Sequence, residues 1–102
     1  SLVTQRKFAT ENSALVRAVI NAWYDEGKWV DSNPRESEIL AQKEGGYSDE
    51  VRDHLIAYNR QNKFYEADDP AFLREFQRAA DWLAERAILP KKIAIADYVV
   101  RV

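Results

Sequence analysis

The chain has 102 residues, 46% of them apolar, and its three Trp, four Phe and five Tyr supply enough apolar volume for a small folded domain, which excludes a disordered tract. Its 15 basic and 17 acidic residues leave a formal charge of −2 without any block of like charge, so neither a nucleic-acid footprint nor a polybasic membrane patch is present. The absence of cysteine removes disulfides, thiolate nucleophiles and zinc-thiolate sites, and it leaves the redox compartment open.

Leu2 to Thr4 reads as a short apolar start, strand-like in composition, and Arg6 to Glu11 as a helical turn carrying Phe8. The stretch from Asn12 to Pro34 has the longest run of one period: Leu15, Val19, Ala22 and Trp29 recur at helical spacing, with Val16, Ile20, Trp23 and Val30 beside them and Gly27 between Trp23 and Val30. Asn12 is expected to cap this helix with its side-chain oxygen, and Asp31 to Asn33 mark its exit. The apolar arc covers more than one face, which predicts burial from two directions.

Asn33, Pro34 and Glu36 resemble a capping box with proline at the first helical position, and Gly45-Gly46 ends the helix they start. That helix is predicted over 34–44 with Ile39 and Leu40 on its buried side. Ser48 opens the next, with Asp49 and Glu50 at the positive end of its dipole and an apolar face of Val51, Leu55 and Tyr58. Lys63 to Tyr65 reads as an extended connection. Asp69-Pro70 starts the last long helix, to about Ala87, whose buried stripe is Phe72, Phe76, Ala79, Ala80 and Leu83. Pro90 stops it, and Ile93 to Val100 forms an apolar tail with a short turn at Ala96 to Tyr98.

Four main helices and no firm strand give an all-α chain, a single helical segment without internal repeat or linker. No apolar run reaches the roughly 18 residues of a membrane helix, and residues 1–15 lack the basic-then-apolar order of an export signal.

Little in the sequence carries chemistry. His54, the one histidine, stands at helical spacing from Glu50 and Tyr58, but no further ligand or base accompanies it, so it reads as a surface histidine. Glu66, Asp68 and Asp69 form an acidic cluster that lacks the alternating oxygen ligands, glycine and distal glutamate of a calcium loop, and helix capping explains it better. Trp23, Trp29 and Trp82, with Tyr24, could present a stacking platform; at helical spacing they read as core. Gly45-Gly46 is a helix terminator rather than a phosphate cradle. No catalytic, cofactor-binding, metal or ligand-binding residue is assigned, and no cofactor is called for.

The order of signals adds a resemblance. Phe8, Asn12, Trp29, Asn33-Pro34, Ile39-Leu40-Ala41 and Leu89-Pro90-Lys91 follow one another much as in the C-terminal region of the periplasmic substrate-binding proteins of ABC importers, in the sulfonate, nitrate and taurine branch. The chain departs at Ser13, where that family usually has proline, and at Ala87, where it usually has the glycine that closes the last helix, so that exit should be tighter or less regular. The resemblance implies a much longer parent, an α/β two-lobed periplasmic binding protein of type II that closes over its ligand at a hinge. These residues would supply outer helices of one lobe, with Leu2 to Lys7 nearest the hinge.

By that resemblance the expected function is binding of a small anionic solute, without catalysis, at the periplasmic or extracellular side of the membrane. The partners would be the solute and the ABC permease. Self-association of this segment alone is expected from its spare apolar surface. The alternative is a free-standing helical interaction module that holds a partner helix in an apolar groove. An enzyme reading would rest on His54 alone.

Overall fold

Helix α1 (Arg6–Glu11) opens a computed structural model that describes all 102 residues. It is followed by α2 (Ser13–Ser32), α3 (Pro34–Gly45), α4 (Asp49–Tyr58), α5 (Pro70–Glu85) and a 3₁₀ turn over Ile95–Tyr98. There is no strand: Leu2 to Thr4 and Lys63 to Tyr65 are irregular. The helices divide between two compact units, residues 1–16 with 64–102, and residues 17–63.

Local chemistry accounts for most helix ends. Ser48 Oγ accepts the Val51 amide at 3.2 Å to start α4, and Asp69 accepts the Ala71 amide at 2.8 Å to start α5 with Pro70 in its first turn. Gly46 ends α3 in the left-handed region (φ 69°) and donates its amide to Gln42 O at 2.8 Å; a side chain there would be strained.

Two asparagines act otherwise than their positions suggest. Asn12 does not cap α2 through its side chain: its Nδ2 donates back to Phe8 O at 3.2 Å, closing α1, while its carbonyl accepts Val16 N. Asn33 forms no capping box either. Its Nδ2 donates to Trp29 O at 2.8 Å, so it satisfies the last carbonyls of α2 rather than the first amides of α3. An asparagine amide both donates and accepts, and here the helix just ended outcompetes the helix about to start.

In the unit of residues 1–16 and 64–102, α5 lies against the 3₁₀ turn. Only Ala9 (3% exposed) and Ala80 (6%) are buried in the whole chain. Gln77 joins the two pieces: its Nε2 donates to Ile93 O and to Asp81 Oδ1, each at 2.8 Å, and its Oε1 accepts Ile95 N at 2.9 Å. Tyr65, Phe72 and Phe76 form an aromatic row with centroids 6.2 and 4.5 Å apart. Arg6 donates to Asp97 O at 2.6 Å and Arg101 pairs with Asp68 at 3.2 Å.

The exit of α5 is a Schellman turn built on an alanine. Ile88 N bonds Leu83 O and Ala87 N bonds Ala84 O, with Ala87 at φ 55°, where glycine is the usual residue. A Cβ costs roughly 1–2 kcal/mol in that conformation, and glycine's greater unfolded-state entropy offsets part of the gain from removing it. Ala87→Gly is therefore expected to stabilise this unit by about 0.5–1 kcal/mol. Urea unfolding measures it, and a loss of stability would contradict the strain at this turn.

In residues 17–63, α3 and α4 pack on each other across a short turn and are held by polar side chains. Gln42 is the hub: Nε2 donates to Tyr47 O (3.0 Å) and Asp49 Oδ1 (2.7 Å), and Oε1 accepts Arg52 Nη1 (3.2 Å). The Tyr47 hydroxyl donates to Glu38 Oε2 at 3.0 Å. Partial withdrawal from water, then the hydrogen bond and charge of Glu38, push the Tyr47 phenol above its ordinary 10.0. A phenol that holds its proton more tightly folded than unfolded contributes stability that is whole below about pH 10 and is lost as pH rises through the folded value. Tm is thus expected to fall on entering the alkaline range, and Tyr47→Phe should remove that component from a thermal scan taken against pH.

The expected burial is where the structure departs most from the sequence. No residue of α2 is buried, and neither α3 nor α4 approaches it closely. Ile39 and Leu40 on α3, and Val51, Leu55 and Tyr58 on α4, are exposed rather than core, Leu40 at 58%. On α5 the stripe is correct at Ala80, half-covered at Phe72 and Leu83, and exposed at Phe76 and Ala79. Periodicity places residues on one face; it does not supply something to cover that face.

Candidate functional site

An open, shallow cleft lies on the C-terminal half of α2. Trp23, Glu26, Gly27 and Val30 recur at steps of three, one and three, so they share one helix face, and Asn62 closes the side of a space of about 440 Å³. Gly27 lines the space between Trp23 and Val30 without a side chain of its own.

Asn62 reaches this position through a polar clasp. Its backbone N–H donates to Asp31 Oδ1 and Oδ2 at 3.0 and 3.2 Å, and its Nδ2 donates to Asp31 Oδ1 at 2.7 Å and Gly27 O at 3.3 Å. The segment after α4 is thereby tied to α2 by charge-assisted bonds. Both Nδ2 hydrogens are engaged, so Asn62 has no side-chain N–H left to offer the cleft. The Trp23 indole and the Glu26 carboxylate make no hydrogen bond or ion pair, and Trp23 is 56% exposed.

An apolar floor, one carboxylate acceptor and one exposed indole suit binding. No nucleophile or acid–base pair stands in the cleft. His54 lies exposed on α4, outside the cleft, without a hydrogen bond or ion pair. The Glu66, Asp68, Asp69 cluster is dispersed among structural tasks: Asp69 caps α5, Asp68 pairs with Arg101, and Glu66 O accepts the Asp69 amide at 3.0 Å. No group of three His, Cys, Asp or Glu side chains comes together as a metal site. No helix is long and apolar enough to cross a membrane.

The tryptophans are not core. Trp29 and Trp82 are exposed like Trp23, Tyr24 is half-buried, and the Arg86 guanidinium lies 3.9 Å from the centroid of Trp82. Trp23 and Trp29, six residues apart on one helix, point to different sides and form no joint platform. Gly45-Gly46 is the helix stop the sequence predicts. The residues that sequence reasoning passes over are the amides Gln42, Asn62 and Gln77. For Gln77 a signal exists: it is the one polar residue within the stripe formed by Leu73, Phe76, Ala80 and Ala84.

Comparison of the chain with protein-family models, with curated proteins and with solved structures gives no match.

Proposed function

We propose that the chain is the C-terminal helical portion of a solute-binding protein of an ABC importer, serving a small anionic solute such as an aliphatic sulfonate, taurine or nitrate. The observation that carries this reading is α2, whose 20 residues are apolar on two sides and include none that is buried. Together with the exposed apolar residues of α3 and α4, it behaves as an outer helix of a lobe whose sheet lies elsewhere in a longer chain. The ordered residues Phe8, Asn12, Trp29, Asn33-Pro34 and Leu89-Pro90-Lys91 support it by resemblance. In this reading the protein binds and does not catalyse, works at the periplasmic or extracellular side of the membrane, and delivers solute to its permease.

The test is calorimetric. The 102-residue chain alone is expected to show no saturable heat with taurine, an aliphatic sulfonate or nitrate, since the ligand cleft forms between lobes, whereas its longer reading frame should bind one of them. Saturable binding by the 102 residues alone would overturn the proposal, as would a reading frame without upstream βα units. The cleft beside Trp23 favours a second reading, a helical interaction module, which holds if the longer frame lacks that pattern.

A further inference from the structure

Two residues of α2 suit a helix poorly and touch the same partner. Gly27 is the only glycine of this helix, and glycine in a helix interior is less stable than alanine. Asp31 puts a carboxylate in the last turn, at the negative end of the dipole, with no basic residue in that turn. The two are four positions apart and so share a face, and both accept hydrogen bonds from Asn62. Local choices that work against a helix point to a demand from outside it, and here that demand is the clasp.

The clasped segment has little else to hold it. Residues 59–63 carry no helix or strand and are exposed throughout. Asn59 turns the chain out of α4 in the left-handed region (φ 45°), Gln61 Nε2 folds back on Asn59 Oδ1 at 3.0 Å, and the Arg60 side chain makes no hydrogen bond or ion pair. Of residues 59–62, only Asn62 therefore bonds beyond its own chain neighbours. Both buried residues of the chain, Ala9 and Ala80, belong to the other unit, so lifting this segment uncovers no core. Its opening costs the Asn62 bonds and leaves the helices folded.

We propose that residues 59–63 are a strap latched by Asp31, which opens and closes along the side of the α2 cleft while α2, α3 and α4 stay folded. Closed, it sets Asn62 beside Trp23, Gly27 and Val30; open, it leaves that side of the cleft to solvent. The latch concerns contacts within residues 17–63 and is independent of the importer reading.

Trypsin at low concentration tests it on the whole chain, with the cut sites read by mass spectrometry. When closing outpaces cleavage, the rate of cutting after Arg60 reports the open fraction. Asp31→Ala removes every carboxylate acceptor of the latch and should raise cleavage after Arg60 about tenfold or more. The same change relieves the end of α2, so helicity in circular dichroism should be kept or rise, and cleavage after Arg52 in α4 should be unchanged. Asn62→Ala keeps the backbone N–H bonds to Asp31 and should raise cleavage after Arg60 less. Asp25→Ala, which removes the exposed Asp25–Lys28 pair of the same helix, should leave it as in the wild type. A rise that is absent in Asp31→Ala, equalled in Asp25→Ala, exceeded in Asn62→Ala or shared by the Arg52 site overturns the proposal. So does a loss of helicity in Asp31→Ala, because the helices would then open with the strap.

Discussion

Ala80→Asp is expected to unfold the unit of residues 1–16 and 64–102, while Ala79→Asp, one position away, is expected to cost little. Ala80 is 6% exposed, on the face of α5 that also carries Leu73 and Leu83, whereas Ala79 faces water. A carboxylate at position 80 would lose its hydration without gaining a partner, at a cost of about 3 kcal/mol or more in addition to aspartate's poorer helix propensity. With only two small side chains buried, this unit has little margin to absorb that loss. Ala79→Asp keeps its hydration and pays the propensity difference alone, about 0.6 kcal/mol. Amide exchange is the decisive measurement. Protection across α5 should collapse in Ala80→Asp and persist in Ala79→Asp, and equal effects would mean that the buried line of α5 has been misplaced.

That pair also marks where the sequence stops being informative. Both alanines fall in the apolar stripe of α5, and periodicity alone cannot separate them. Helix ends are more legible, because a cap is settled within four residues: Ser48, Asp69-Pro70 and Gly46 act as their types and spacing require. Ala87 is different: local signals carry the helix to about that residue, and the expectation of a tighter exit comes only from the family resemblance; the structure puts Ala87 at φ 55°. Asn12 and Asn33 defeat the same reasoning because each stands between two helices and can serve either.

Long-range pairings are a different case. The clasp of Asn62 on Asp31 joins residues 31 positions apart, and nothing local to Asn62 announces it. The cleft is not legible in the sequence: Gly27 stands within an apolar arc that predicts burial, and Trp23 reads as core, whereas the structure leaves Trp23 exposed beside an open space at Gly27. Exposure depends on what neighbours are present. Apolar residues such as Leu40 and Tyr58 report a demand for burial that the sequence expresses and that these helices do not meet.

Gln77→Leu is expected to destabilise the same unit by about 2 kcal/mol, and Gln77→Glu to do so in a way that depends on pH. Gln77 uses its whole amide in three bonds of 2.8–2.9 Å, to Asp81, Ile93 O and Ile95 N, all part-buried. Leucine keeps most of the volume but leaves a carbonyl and an amide without their partner, each a cost of order 1 kcal/mol when partly screened. Glutamate can still accept from Ile95 N, but its charged form faces two acceptors, the Ile93 carbonyl and the Asp81 carboxylate, which raise its folded pKa above the unfolded value of about 4.3. A group whose pKa is raised on folding contributes stability that is present below its unfolded pKa and lost as pH climbs through the folded one. The deficit of Gln77→Glu relative to wild type should therefore be small near pH 4 and grow toward neutrality, because the protonated acid can again donate to Ile93 O. The deficit of Gln77→Leu should not follow that profile. Urea midpoints for the three proteins across this pH range decide the matter, and a flat difference for the glutamate variant would show that the amide of Gln77 does not hold α5 to the segment before the 3₁₀ turn.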